Sequence, residues 1–137
     1  MTAESCTGGG IGAALTEIPG SSAVYKGGII AYTNWVKENI LGVDGELLSI
    51  CGAVSAQTAQ AMAIGARQRL CSDLAVSVTG LAGPGGDDFG NPVGTVFIGY
   101  CDGTKAYARE YHFTGSREAV RCATVRAALE LILEENQ

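Results

Sequence analysis

Three glycines at positions 8–10 are followed by Ile11, Ala14, Leu15 and Ile18 at helical spacing, which predicts a helix over residues 8–18 stopped by Pro19-Gly20. Residues 26–33 hold the short apolar run Gly-Gly-Ile-Ile-Ala-Tyr-Thr and read as a buried strand. Asn34 is placed to cap a short helix over residues 36–41, and residues 42–45 (Gly-Val-Asp-Gly) form a turn before a second short helix over 46–50. Ser55 is a good N-cap for a helix over 56–70, with Ala59, Met62, Ala63, Ala66 and Leu70 on one face. A strand is predicted over 74–79, a glycine-rich loop over 80–92, and a hairpin of strands 94–101 and 105–113 about Asp102-Gly103. Ser116 opens the last helix, with Val120, Ala123, Ala127 and Leu131 inward. Helices alternate with strands before a closing hairpin, and that order predicts an α/β fold: one three-layer α/β/α domain with a mixed β-sheet over residues 1–137.

Composition agrees with a well-buried domain: 47% of the 137 residues are hydrophobic and 17% charged. A net charge of −5 argues against general nucleic-acid binding. No apolar run approaches the ~20 residues of a membrane span, and no signal peptide precedes the first motif, so a cytoplasmic protein is expected. The five cysteines lie at 6, 51, 71, 101 and 122, without CxxC spacing; reduced thiols are expected, with neither a zinc site nor a redox motif.

The candidate chemistry begins at Thr2-Ala3-Glu4-Ser5-Cys6-Thr7-Gly8-Gly9. Ser5 stands before a helix whose first turn is nearly bare of side chains. Helix N-termini present unpaired N–H groups, and a nucleophile beside such donors suits acyl transfer. The same serine also reads as a plain helix cap, and Cys6 is a rival nucleophile. A serine nucleophile needs a base. His112 sits far along the chain in a strand and reads as structural. Lys37, soon after the apolar strand, suits the role if its pocket is dry, with Tyr32 as a relay; the plain alternative is a solvated lysine. The loop that starts at Gly80 and runs through Ala82 and Gly83 follows a strand, where open α/β sheets bind ligands, yet it is neither a P-loop nor GxGxxG. Asp87 and Asp88 match no cation-binding spacing. Arg117 and Arg121, four apart near a helix start, suit either a phosphate or an exposed face paired with Glu118.

Taken together, six blocks in order resemble the CinA C-terminal domain family: Thr2–Gly9, Pro19–Ser22, Gly28–Asn34 with Lys37, Gly52–Ser55, Gly80–Pro84 and Pro92–Val96. The resemblance implies an amidohydrolase that deamidates nicotinamide mononucleotide to nicotinate mononucleotide and ammonia, without metal or organic cofactor. It implies Ser5 as nucleophile with Lys37 and Tyr32 completing a Ser-Lys-Tyr centre, and leaves His112 outside the chemistry. Amides near Thr7, Gly8 and Gly9 would hold the oxyanion. Gly80, Ala82 and Gly83 would border the ring or ribose, and Ser22, Asn34, Arg117 and Arg121 would take the nucleotide and its phosphate. Family domains carry a helix and a strand ahead of the Thr-Ala-Glu-Ser motif, and here both are expected to be missing, that strand being central to the sheet. The alternative is a non-catalytic nucleotide-binding or partner module of the same fold. The expected partner is a small-molecule nucleotide, and apolar helix faces make a homo-oligomer plausible.

Overall fold

The computed structural model describes residues 1–137. Its five-stranded mixed sheet has the order β2-β1-β3-β4-β5, with β1 (Thr2–Glu4), β2 (Gly28–Ile30), β3 (Ala75–Gly80), β4 (Thr95–Cys101) and β5 (Ala106–His112). β1 pairs in parallel with both β2 and β3, while β3–β4 and β4–β5 are antiparallel. The helices are α1 (Gly10–Thr16), α2 (Asn34–Asn39), α3 (Gly45–Cys51), α4 (Ala56–Arg69) and α5 (Arg117–Glu135), with a 3-10 turn at Ser21–Ala23. None is long and apolar enough to cross a membrane. The α/β class and mixed sheet are those expected.

Side-chain alternation along the strands divides the core into two halves. Val76 and Val78 of β3, with Val96, Ile98 and Tyr100 of β4, pack against Ile11 of α1 and Val120, Ala128 and Leu131 of α5. On the other face Ala3 and Ala75 meet Met62 and Ala66 of α4, together with Leu41, Val43 and Leu48. Each such buried Val, Ile or Leu contributes roughly 1.5–3 kcal/mol. α4 lies unusually close to the sheet. Ser77 Oγ donates to the Ala59 carbonyl at 2.5 Å, and a Cβ on Gly99 would stand 2.3 Å from that same oxygen.

Five sequence expectations need correction. A strand does precede Ser5: Thr2–Glu4 is internal to the sheet, with a parallel neighbour on each edge. The strand predicted as buried is the sheet edge; β2 is only three residues long, and Ile30 is 55% exposed. Thr33 rather than Asn34 caps α2, its side chain accepting from Val36 N–H. The caps at Ser55 and Ser116 are present, accepting from Thr58 and Ala119 N–H. The inward face of α4 keeps Ala59, Met62, Ala63 and Ala66 but not Leu70, and on α5 Ala123 is only half-buried.

Candidate active site

The carboxyl ends of the three parallel strands converge, the usual place for a ligand in an open α/β sheet. Ser5 follows β1. Ala31 and Tyr32 follow β2 and lead into α2, which carries Lys37. Gly80 ends β3 and opens the glycine loop. Ser5, Cys6, Tyr32, Lys37, Thr79, Gly80, Ala82, Gly83 and Arg117 line one cleft of about 330 Å³ with Ala53, Val54, Leu81 and Gly85.

Lys37 is the decisive side chain. It is 1% exposed and has no carboxylate partner. Its Nζ lies 3.0 Å from Ser5 Oγ, 2.8 Å from the Ala31 carbonyl and 3.2 Å from the Tyr32 carbonyl. Burial without a counter-charge disfavours the ammonium and lowers its pKa from 10.5 to about 8. The partner set has a chemical consequence. Carbonyls only accept, so a neutral amine gives its two N–H bonds to Ala31 and Tyr32. Its remaining tetrahedral position, the lone pair, then faces the Ser5 hydroxyl, which can donate.

Ser5 is held by its backbone, its N–H donating to the Val78 carbonyl at 3.0 Å. Because side chains alternate along β1, Glu4 projects to the α1 side of the sheet. Its buried carboxylate accepts from Thr7 Oγ1 at 2.5 Å, Ile11 N–H at 2.8 Å and Gly12 N–H at 3.0 Å. The free donors expected at the start of α1 are therefore partly occupied by the protein itself. Gly8 N–H is also engaged, donating to the Ser5 carbonyl at 3.2 Å, whereas no oxygen of the protein accepts from Cys6 or Thr7 N–H. Sequence reasoning missed Glu4 as a cap, since it precedes Ile11 by 7 residues and a standard cap stands next to its helix.

Cys6 lies in the core against α1 and α5, and burial pushes its thiol up to about 11. Tyr32 gives its carbonyl to Lys37, while its hydroxyl is 3.3 Å from Arg117 Nη2; the Lys37–Ser5 contact is direct. Arg117 Nη1 also donates to the Gly83 carbonyl at 2.7 Å, tying the glycine loop to the Tyr32 side of the cleft. Thr79, Ala53, Val54 and Leu81 also line the cleft; none was singled out as a site residue, although Ala53, Val54 and Leu81 fall within the blocks Gly52–Ser55 and Gly80–Pro84, and Thr79 Oγ1 donates to the Ala53 carbonyl at 2.7 Å. Thr7, Gly8, Gly9, Ser22, Asn34 and Arg121 are not among the lining residues. Ser22 is exposed on the 3-10 turn and Asn34 is exposed at the start of α2. Arg121 turns to main-chain carbonyls, donating to Cys6 O at 3.1 Å and Thr7 O at 3.2 Å. His112 is exposed beside Glu110, and no group of three or more His, Cys, Asp or Glu side chains is arranged to hold a metal ion.

The sequence pattern of the CinA C-terminal domain matches residues 1–136. The chain belongs to the CinA C-terminal domain family. The nicotinamide-nucleotide amidohydrolase PncC of Pseudomonas putida is 46% identical over 133 residues, covering 97% of this chain and 83% of that protein. A CinA-like protein of Thermosynechococcus vestitus is 50% identical over 133 residues, covering 95% of this chain but 32% of its own length. This CinA domain thus spans about a third of the length of the larger curated relatives it matches. The crystal structure of the competence/damage inducible protein CihA from Agrobacterium tumefaciens superposes with a TM-score of 0.95 at 48% identity, covering 99% of this chain and 84% of that one.

Proposed function

We propose that this CinA domain is an amidohydrolase that converts nicotinamide mononucleotide to nicotinate mononucleotide and ammonia through an acyl-enzyme on Ser5. The observation that carries the reading is the unpaired, buried Lys37 amine 3.0 Å from Ser5 Oγ in an open cleft. The similarity to a protein named as a nicotinamide-nucleotide amidohydrolase supplies the substrate. Neutral Lys37 takes the hydroxyl proton as Ser5 Oγ bonds to the carboxamide carbon. The Cys6 and Thr7 N–H groups receive the developing oxyanion. Lys37 returns the proton to the nitrogen, the C–N bond breaks and ammonia leaves. Water, deprotonated by the same amine, then cleaves the ester and regenerates Ser5. Arg117, whose guanidinium contacts the Gly83 carbonyl and the Tyr32 hydroxyl at the rim, would meet the phosphate.

Ammonia release from a panel of nucleotide amides tests the reading, with nicotinamide mononucleotide expected to react. Ser5→Ala should lower the rate by at least ~10³-fold, because nucleophile and base act as a unit. Full activity in Ser5→Ala would refute the nucleophile. Calorimetric binding of the nucleotide without turnover in the unmodified protein would favour the non-catalytic binding module instead.

A further inference from the structure

The turn Cys6–Gly8 is held from two sides by residues far apart in the chain. From below, the Glu4 carboxylate ties Thr7 Oγ1 to the first amides of α1. From α5, the Arg121 guanidinium takes the carbonyls of Cys6 and Thr7 with separate N–H groups, 115 and 114 residues away in sequence. Arg121 has no carboxylate in ion-pair range, unlike Arg109 and Arg126. Its fork is therefore committed to main chain. The consequence follows from peptide geometry. The only cis peptide is Gly83-Pro84, so the bond between Cys6 and Thr7 is trans and planar. In a trans peptide the carbonyl and the following N–H point in opposite directions. Holding Cys6 C=O toward Arg121 therefore turns Thr7 N–H away from it. No oxygen of the protein accepts from that N–H.

We infer that Arg121, with Glu4 as its counterpart, is a positioning residue that sets the Thr7 amide as an oxyanion donor beside Ser5. The inference rests on the serine acyl-transfer reading above. It departs from the use that spacing alone offers for Arg121, a contact to the substrate phosphate, and the two roles separate cleanly.

A fluorophosphonate probe carries no nucleotide. Ser5 Oγ bonds to phosphorus, the P–F bond breaks, fluoride leaves, and the serine proton passes to Lys37. The reaction needs the oxyanion donors but no nucleotide phosphate site. In Arg121→Gln the rate of Ser5 labelling, followed by intact mass and peptide mapping, should fall roughly tenfold or more, as misplaced catalytic groups do. With nicotinamide mononucleotide, kcat should fall similarly while KM stays within about twofold, since the donor acts on the transition state. Thr7→Val, which breaks the Glu4 contact, should slow labelling in the same way, and Thr7→Ser should restore it. Normal labelling of Arg121→Gln with a raised KM would overturn the inference and make Arg121 a phosphate ligand. Normal labelling of both Arg121→Gln and Thr7→Val would overturn the clamp altogether. Wild-type protein that is labelled in an Arg121-dependent way yet releases no ammonia would uphold the clamp and refute the proposed substrate. Wild-type protein that is never labelled on Ser5 would refute both.

Discussion

Lys37 Nζ and Ser5 Oγ, 32 residues apart in sequence, meet at 3.0 Å because α2 begins where β2 ends, beside the end of β1. The lysine has no acidic neighbour to neutralise it, only two carbonyls and one hydroxyl. Most lysines keep their ammonium in water, and this one is 1% exposed. The arrangement is costly for a charged amine and favourable for a base.

The first prediction concerns pH. Burial places the Lys37 pKa at about 8, and in the proposed mechanism the free amine is the active form. The rate of acylation should therefore rise about tenfold per pH unit below that value and level off above it. Single-turnover ammonia release between pH 6 and roughly 10 checks it. A profile flat from pH 6 to 8 would exclude Lys37 as the base.

The same burial predicts a stability effect of opposite character. Lowering the folded-state pKa from 10.5 to about 8 means that the unfolded chain binds more protons than the folded one within that window. Stability of the native protein therefore rises with pH across it, and the penalty is largest below about 8. Lys37→Met removes the buried charge at similar volume. It should abolish most of the activity while melting at or above the native temperature at pH 7. Its advantage should shrink as pH approaches 10.5. Thermal melts at pH 7, 9 and 10.5 decide; an advantage that grows with pH would contradict the sign.

Much of the fold was legible because its signals are local. Ser55 and Ser116 cap helices as their spacing implies, and Asp102-Gly103 lies within the turn between β4 and β5. β1 was not legible. Three residues are too few for a period-2 pattern, and what makes them a strand is pairing with Gly28–Ile30 and Val76–Val78, which is non-local. In the site, residue types pointed to Ser5 and Lys37, but the burial that separates a base from a solvated lysine is tertiary. Glu4 as a remote cap, and Thr79 as a cleft wall, depend on which strand neighbours which. Arg121 had the spacing of a phosphate ligand with Arg117, yet the turn of α5 sends the two guanidiniums to different carbonyls.

Gly65 offers a test in which local propensity and packing disagree. In an exposed helix interior, Gly→Ala gains about 0.8–1.0 kcal/mol. Here a Cβ on Gly65 would lie 2.0 Å from the Leu41 carbonyl oxygen and 3.0 Å from its carbon. Both are backbone atoms at the end of α2, so relief requires α4 to move off that segment. Overpacking of this kind costs about 1–3 kcal/mol or more and outweighs the propensity gain. Gly65→Ala should therefore be destabilised in urea, and it should also lose activity, because Leu41 follows the helix that carries Lys37. A stabilised variant would show that α4 can shift freely.

The last prediction separates Ser5 from its neighbour. Cys6 sits among Ile11, Val78 and Val120 with its thiol pushed up to about 11, so little thiolate exists at pH 8. Cys71 and Cys122 are exposed. A thiol reagent at pH 8 should modify those two first and leave Cys6 until the protein unfolds. Ammonia release should survive this partial modification. Cys6→Ala should likewise retain most of the turnover at some loss of stability, since it removes a buried sulfur from the core. The check is peptide mapping of the modified protein alongside its rate. Loss of activity in step with modification of Cys6 would make the thiol, not Ser5, the nucleophile.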